Sequence, residues 1–62
     1  MIGCQWKNVL VGEQFIWRDV KDDTEWSGRK FTATKGLLDN EDGSLLEREF
    51  GIDDMVLIKH RG

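Results

Sequence analysis

Any catalysis by this chain would have to begin with its one histidine, its one cysteine and its twelve acidic side chains. His60 lies within three residues of the C-terminus, where chains fray. A general base must be held within hydrogen-bond reach of its target, on an element rigid enough to keep it there. A Ser-His-Asp or Cys-His arrangement would hang on this residue, so the expected reading is a solvent-facing strand end. Cys4 and His60 cannot make a structural zinc site, which needs four ligands, and a lone cysteine forms no internal disulfide. Carboxylates are abundant, but a hydrolytic pair must face across a cleft about 5–9 Å wide, which a barrel this small seldom holds. Within "LLDNEDGSLLERE", alignment on Gly43 puts Asn40, Asp42 and Glu49 at oxygen-ligand places of a calcium loop. The first ligand place then holds Leu38, which cannot coordinate a hard cation, and the flanks alternate like strands rather than helices. "GRKFTATKG" has neither the spacing of a phosphate-binding loop nor a helix after it. No catalytic residue, no metal and no cofactor are expected; the chain reads as non-catalytic.

Binding is better represented. "FIWRDVKDDTEW", residues 15 to 26, sets Trp17 and Trp26 around four acids and two bases. Trp17, between Phe15 and Val20 on a strand, is expected in the core. Trp26 follows the acidic tip at a strand end, where part of its ring can stay exposed, and Trp and Arg are enriched at interface hot spots. The expected partner-binding residues are therefore Trp26 with Arg18 and Arg29 as contact area, and Asp22, Asp23 and Glu25 steering towards a basic partner. Leu38 and Leu45, if both faced outward, would add an apolar patch. A rival reading places single-stranded nucleic acid along Arg29, Lys30 and Lys35, with Phe31 between them, as small barrels stack bases on aromatics in a positive groove. The net charge of −3 weighs against it, since such binding relies on Lys and Arg neutralising phosphates. A third reading is a structural piece of an oligomer or virion, a homodimer included, joined through an exposed strand edge.

The elements that must position these residues are short strands. Glycines at 3, 12, 28, 36, 43, 51 and 62 punctuate a chain with no proline and no helical periodicity free of glycine. One hairpin pairs "GEQFIWRDV" with "EWSGRKFTAT" across Asp22-Asp23, with Val20 opposite Glu25 and a bulge at Ser27-Gly28 that brings Phe31 opposite Phe15. A second pairs "FTATKGLLD" with "SLLEREF" across "NEDG", with Asp39 opposite Ser44. Phe15, Trp17, Trp26, Phe31, Ala33, Leu37, Leu46 and Phe50 then share one face. The flaw is Lys35 opposite Arg48, a like-charge pair. "WKNVLVG" supplies a first strand. The run Met55 to Ile58 supplies a last one, covered on both sides or closing a barrel. The expected fold is all-β, a five-stranded SH3-like open barrel forming one domain over residues 1–62.

A chain of this length buries only about 60% of its unfolded surface. No apolar run approaches the roughly 18 residues of a membrane span. The absence of a secretory pattern at the start, with a free thiol, suits a cytoplasm. The strings "VGEQFIW", "FTATKGLLDNEDG" and "FGIDDMVLI" resemble a loose pattern in small β-barrel proteins encoded by bacteriophages, matched here by Val11, Gly12, Phe15, Phe31, Lys35, Phe50, Asp53, Asp54 and Val56. The resemblance implies a viral accessory protein without catalysis, acting in the bacterial host's cytoplasm by binding and modulating a host protein. The acidic insertion at Asp22 and Asp23 departs from that pattern, so a contact surface there would be peculiar to this chain.

Overall fold

Strand alternation drives this architecture, and the computed structural model of the chain describes it over residues 1–60. Six strands form one sheet: β1 (Ile2–Gln5), β2 (Gln14–Asp19), β3 (Thr24–Lys30), β4 (Lys35–Asp39), β5 (Leu45–Glu49) and β6 (Met55–Ile58). A single 3-10 turn, Trp6–Asn8, follows β1. The order across the sheet is β1-β6-β2-β3-β4-β5 and every pairing is antiparallel. The two outer strands do not pair with each other, so the sheet stays open. The chain is thus all-β, with six strands where five were expected. The extra one arises because the long strand expected over 25–39 breaks at 31–34 into β3 and β4, which pair with each other. "WKNVLVG" is not a strand either, since Ile2–Gln5 pairs with β6 in its place and Trp6 then turns inward.

The core comprises Trp6, Val9, Phe15, Leu38, Phe50, Val56 and Ile58. Trp6 is fully buried at its centre. Its ring stacks on Phe50 at 4.2 Å between centroids and meets Phe15 edge-on at 5.2 Å. Its Nε1–H donates to the Ala33 carbonyl at 2.8 Å, and its backbone N–H to the Asp54 carbonyl at 2.7 Å. Gly36 completes the nest: a Cβ there would lie 2.9–3.0 Å from atoms of Phe50, Phe15 and Trp6, so only glycine lets the three rings close on β4.

Both hairpin registers differ from expectation. Trp17 faces Trp26 and Asp19 faces Thr24, across a four-residue turn in which Asp23 takes a left-handed φ of 51°. Asp tolerates that region. This register makes Trp17 and Trp26 cross-strand neighbours on one face, which pairing across Asp22-Asp23 would not have done. No bulge forms at Gly28. This glycine sits opposite Phe15 where β3 and β4 approach, and a Cβ would fall 2.2 Å from the Leu37 carbonyl oxygen. Phe31 and Ala33 consequently leave the core: Phe31 is 53% exposed, past the end of β3.

The β4–β5 ladder is offset by one residue, with Asp39 opposite Leu45 and Leu38 opposite Leu46. Leu38 is buried rather than Leu37, which is half-buried, while Leu46 on the inner face remains exposed. The offset turns Gly36 towards the aromatic rings and Leu38 into the core, and it also relieves a charge conflict. Lys35 now faces Glu49 and bonds Glu47 at 2.7 Å, and the like-charge clash with Arg48 disappears. In β6 only Val56 and Ile58 are buried; Met55 and Leu57 face out, so this strand is covered on one side.

Lys30 takes the inward place expected for Phe31. Only 6% exposed, it donates from Nζ to the Trp6 carbonyl at 2.9 Å and the Val9 carbonyl at 2.7 Å, above the Trp6 ring. A buried cation is tolerable when its donors are satisfied, and here they reach the Val9 carbonyl and the Trp6 carbonyl, which also accepts from the Val9 N–H within the 3-10 turn. Lys30→Met keeps the apolar stem but removes the Nζ bond to the Val9 carbonyl and one of the two bonds to the Trp6 carbonyl. It should lower unfolding stability by about 1–3 kcal/mol, read as a reduced urea midpoint with an unchanged slope.

Candidate contact site at the acidic end of the sheet

Consecutive antiparallel strands return the chain to the same end of the sheet at alternate turns. The β2–β3 turn (20–23) and the β4–β5 turn (40–44) therefore sit together, and both are acidic. The β3–β4 ladder runs only from Lys30–Gly36 to Gly28–Leu38, while β3 continues to Thr24. Past that point the strands part. A cleft of about 640 Å³ opens between them, lined by Thr24, Glu25, Trp26, Asp39, Asn40, Glu41 and Asp42. This volume lies within the range of ligand-sized clefts. Its lining carries four carboxylates and no base.

Trp26 is half-buried at the cleft, packed against the core on one side, and its Nε1–H is buried without an acceptor. Glu25, its neighbour, points to the outer face opposite Arg18, with a 3.9 Å contact between largely exposed groups. A pair so exposed adds little stability. Asp22 and Asp23 stand exposed on the adjoining turn. Arg18 and Arg29 also occupy the outer face by strand alternation, whereas Trp26 turns inward beside Trp17. The structure thus brings Trp26, Glu25 and the Asp22-Asp23 turn to one end of the molecule and sets the two arginines on the other side of the sheet from the indole.

Sequence reasoning missed Asp39, Asn40, Glu41 and Asp42 as cleft residues, weighing this segment as a calcium loop and reading "NEDG" as a turn. The signal was the meander itself, which puts two acidic turns side by side. It also missed Arg48, whose guanidinium lies 4.0 Å from the Trp17 ring centroid and 4.5 Å from that of Phe50. Arg48 lids the inner face near Trp17, the stacking at which arginine excels.

The β4–β5 turn is internally bonded. Asn40 Nδ2–H donates to Ser44 Oγ at 3.0 Å, and Asp42 accepts from the Ser44 hydroxyl at 2.6 Å and amide at 2.9 Å. Among the described residues no group of three or more His, Cys, Asp or Glu side chains converges to hold a metal. The residues of the basic edge are dispersed: Lys30 is buried and Lys35 is bridged to Glu47, which raises its pKa above the ordinary lysine value. Leu38 faces inward, so Leu45 is the only one of the two leucines on the outer face. No helix among the described residues is long and apolar enough to cross a membrane.

The two Ser44 bonds hold the Asp42 carboxyl below its ordinary value of 3.8. With a folded pKa lower than the unfolded one, Asp42 stabilises the turn above that ordinary value, and the contribution is lost as pH falls through the lowered one. An NMR titration should give Asp42 a midpoint below 3.8, with the Ser44 amide shifting in step; Ser44→Ala should raise that midpoint.

Compared with known proteins, the chain matches no family model, no curated protein and no solved structure.

Proposed function

We propose that this chain is a small non-catalytic protein-binding domain of SH3-like open-barrel type, a phage-encoded accessory protein that engages and modulates a basic host protein in the bacterial cytoplasm. The observation that carries the reading is the cleft at Trp26: an aromatic wall and four carboxylates with no countercharge in the lining. Such a site suits a lysine or arginine side chain, which can stack its stem or guanidinium on the indole while the carboxylates take its charge. Asp22 and Asp23, exposed beside the cleft, extend the negative field and act on encounter rather than on the docked state.

A pull-down from bacterial lysate with the wild-type chain and with Trp26→Ala as control tests the site. A basic protein retained by the first and lost by the second supports the reading; retention by both overturns it. With that partner in hand, Asp22→Asn with Asp23→Asn should slow association, by about tenfold at low salt, leave dissociation little changed, and converge on the wild-type rate as salt rises. Association that is salt-independent in both forms would rule out steering by this turn.

A further inference from the structure

Strand β5 ends the sheet with its outer edge unpaired. The Phe50 N–H donates to the Thr34 carbonyl at 2.8 Å, and the Asn40 N–H to the Ser44 carbonyl at 2.9 Å. Backbone groups in an antiparallel ladder alternate between sides. Ser44, Leu46, Arg48 and Phe50 therefore turn theirs towards β4, and Leu45, Glu47 and Glu49 turn theirs away. The Glu49 carbonyl accepts from Arg48 Nη1 at 2.7 Å; the Glu49 N–H and both groups of Leu45 and Glu47 face the edge. Protected edges are typically short, bulged, interrupted by proline or guarded by charged side chains, and the guard here is charge alone, at Glu47, Arg48 and Glu49. This one holds five residues in unbroken register, without proline. Leu45 on its outer face is 57% exposed and Leu46 on its inner face 46%. The opposite edge, β1, is shorter and turns only Gly3 and Gln5 outward by the same alternation.

We infer that the β5 edge is a strand-addition site for an extended segment of a different protein, with basic residues opposite Glu47 and Glu49 and apolar residues opposite Leu45 and Leu46. Backbone bonds give such addition its affinity, and alternate side chains give its specificity. The charge pattern selects against a second copy: the one antiparallel register that pairs all five residues with themselves centres on Glu47 and sets it against its own image. Like charges directly opposite are destabilising. Glu47 already holds Lys35 through one carboxylate oxygen, which leaves the other for an incoming base.

The full chain, nitrogen-15-labelled, is titrated with a glycine-flanked peptide reading Lys-Thr-Lys-Val-Val, antiparallel to residues 45–49, and with its inverse, Glu-Thr-Glu-Val-Val. The first peptide should slow amide exchange at Leu45, Glu47 and Glu49 while Leu46 and Arg48, already bonded to β4, keep their rates. The inverse should bind about tenfold more weakly, as two opposite-charge pairs become like-charge pairs. Glu47→Pro removes the central outward donor without touching the β4 ladder and should abolish the protection, whereas Glu47→Gln should retain most of it. Equal binding of the two peptides overturns the inference. So does a response confined to Thr24–Trp26 and 39–42, which would leave the cleft reading standing and the edge idle. Protection of the same three amides by rising chain concentration without peptide would make the occupant a second copy and overturn it equally.

Discussion

The burial of one tryptophan organises this domain. Trp6 leaves β1 through a 3-10 turn and places its indole under the curled sheet, where Phe50 stacks on it, Phe15 meets it edge-on and Gly36 gives way for all three rings. Its polar atoms reach three separate segments: Nε1 to Ala33, the backbone N–H to Asp54 and the carbonyl to Lys30. Loops 31–34 and 51–54, which carry little apolar burial of their own, are thereby fixed by hydrogen bonds to the most buried residue in the chain. A domain of this size commands few core side chains, and concentrating the aromatics at one point is how this one obtains a defined interior.

That concentration has a consequence at the other end. Seven buried apolar residues cluster beneath β6, β2 and β4, and what remains for the end bearing the two acidic turns is the Trp17–Trp26 pair, partly covered by Arg48. There β3 and β4 separate and the cleft forms. The surface offered to a partner is a by-product of where the core ran out, and its charge comes from turn-forming Asp, Asn and Glu residues that the hairpins needed in any case. The same economy leaves β5 as an uncovered edge with leucines on both faces.

The all-β class was legible from glycine spacing and the lack of helical period, and the inward position of Phe15, Trp17, Trp26 and Phe50 from strand alternation. The registers were not. Each hairpin turn contains several acceptable turn residues, and sliding a strand by one or two places exchanges one set of apolar contacts for another of similar quality. What distinguishes the observed registers is side-chain specific: Gly28 where β3 meets the Leu37 backbone, and Gly36 under the three aromatic rings in β4. The like-charge clash between Lys35 and Arg48 already marked the second register as strained. Lys30 escaped because a lysine in an alternating strand reads as surface. Only the carbonyls of Trp6 and Val9, distant in sequence, make its burial favourable. The acidic residues at the tip of the first hairpin were legible as an exposed group, but the partner half of the cleft, 39–42, required knowing which turns share an end.

Hydrogen exchange of the three indole N–H groups tests the central claim most directly, because each tryptophan reports on its own place in the architecture. The Trp6 Nε1–H, carried on a fully buried ring and bonded to the Ala33 carbonyl of the 31–34 loop, should exchange only through global unfolding, as slowly as the best-protected backbone amides. The Trp26 Nε1–H, buried but unbonded at the margin of the cleft, should exchange orders of magnitude faster through local opening. Equal rates for the two, or a Trp6 signal lost first, would contradict an interior built on Trp6 with an uncovered end at Trp26.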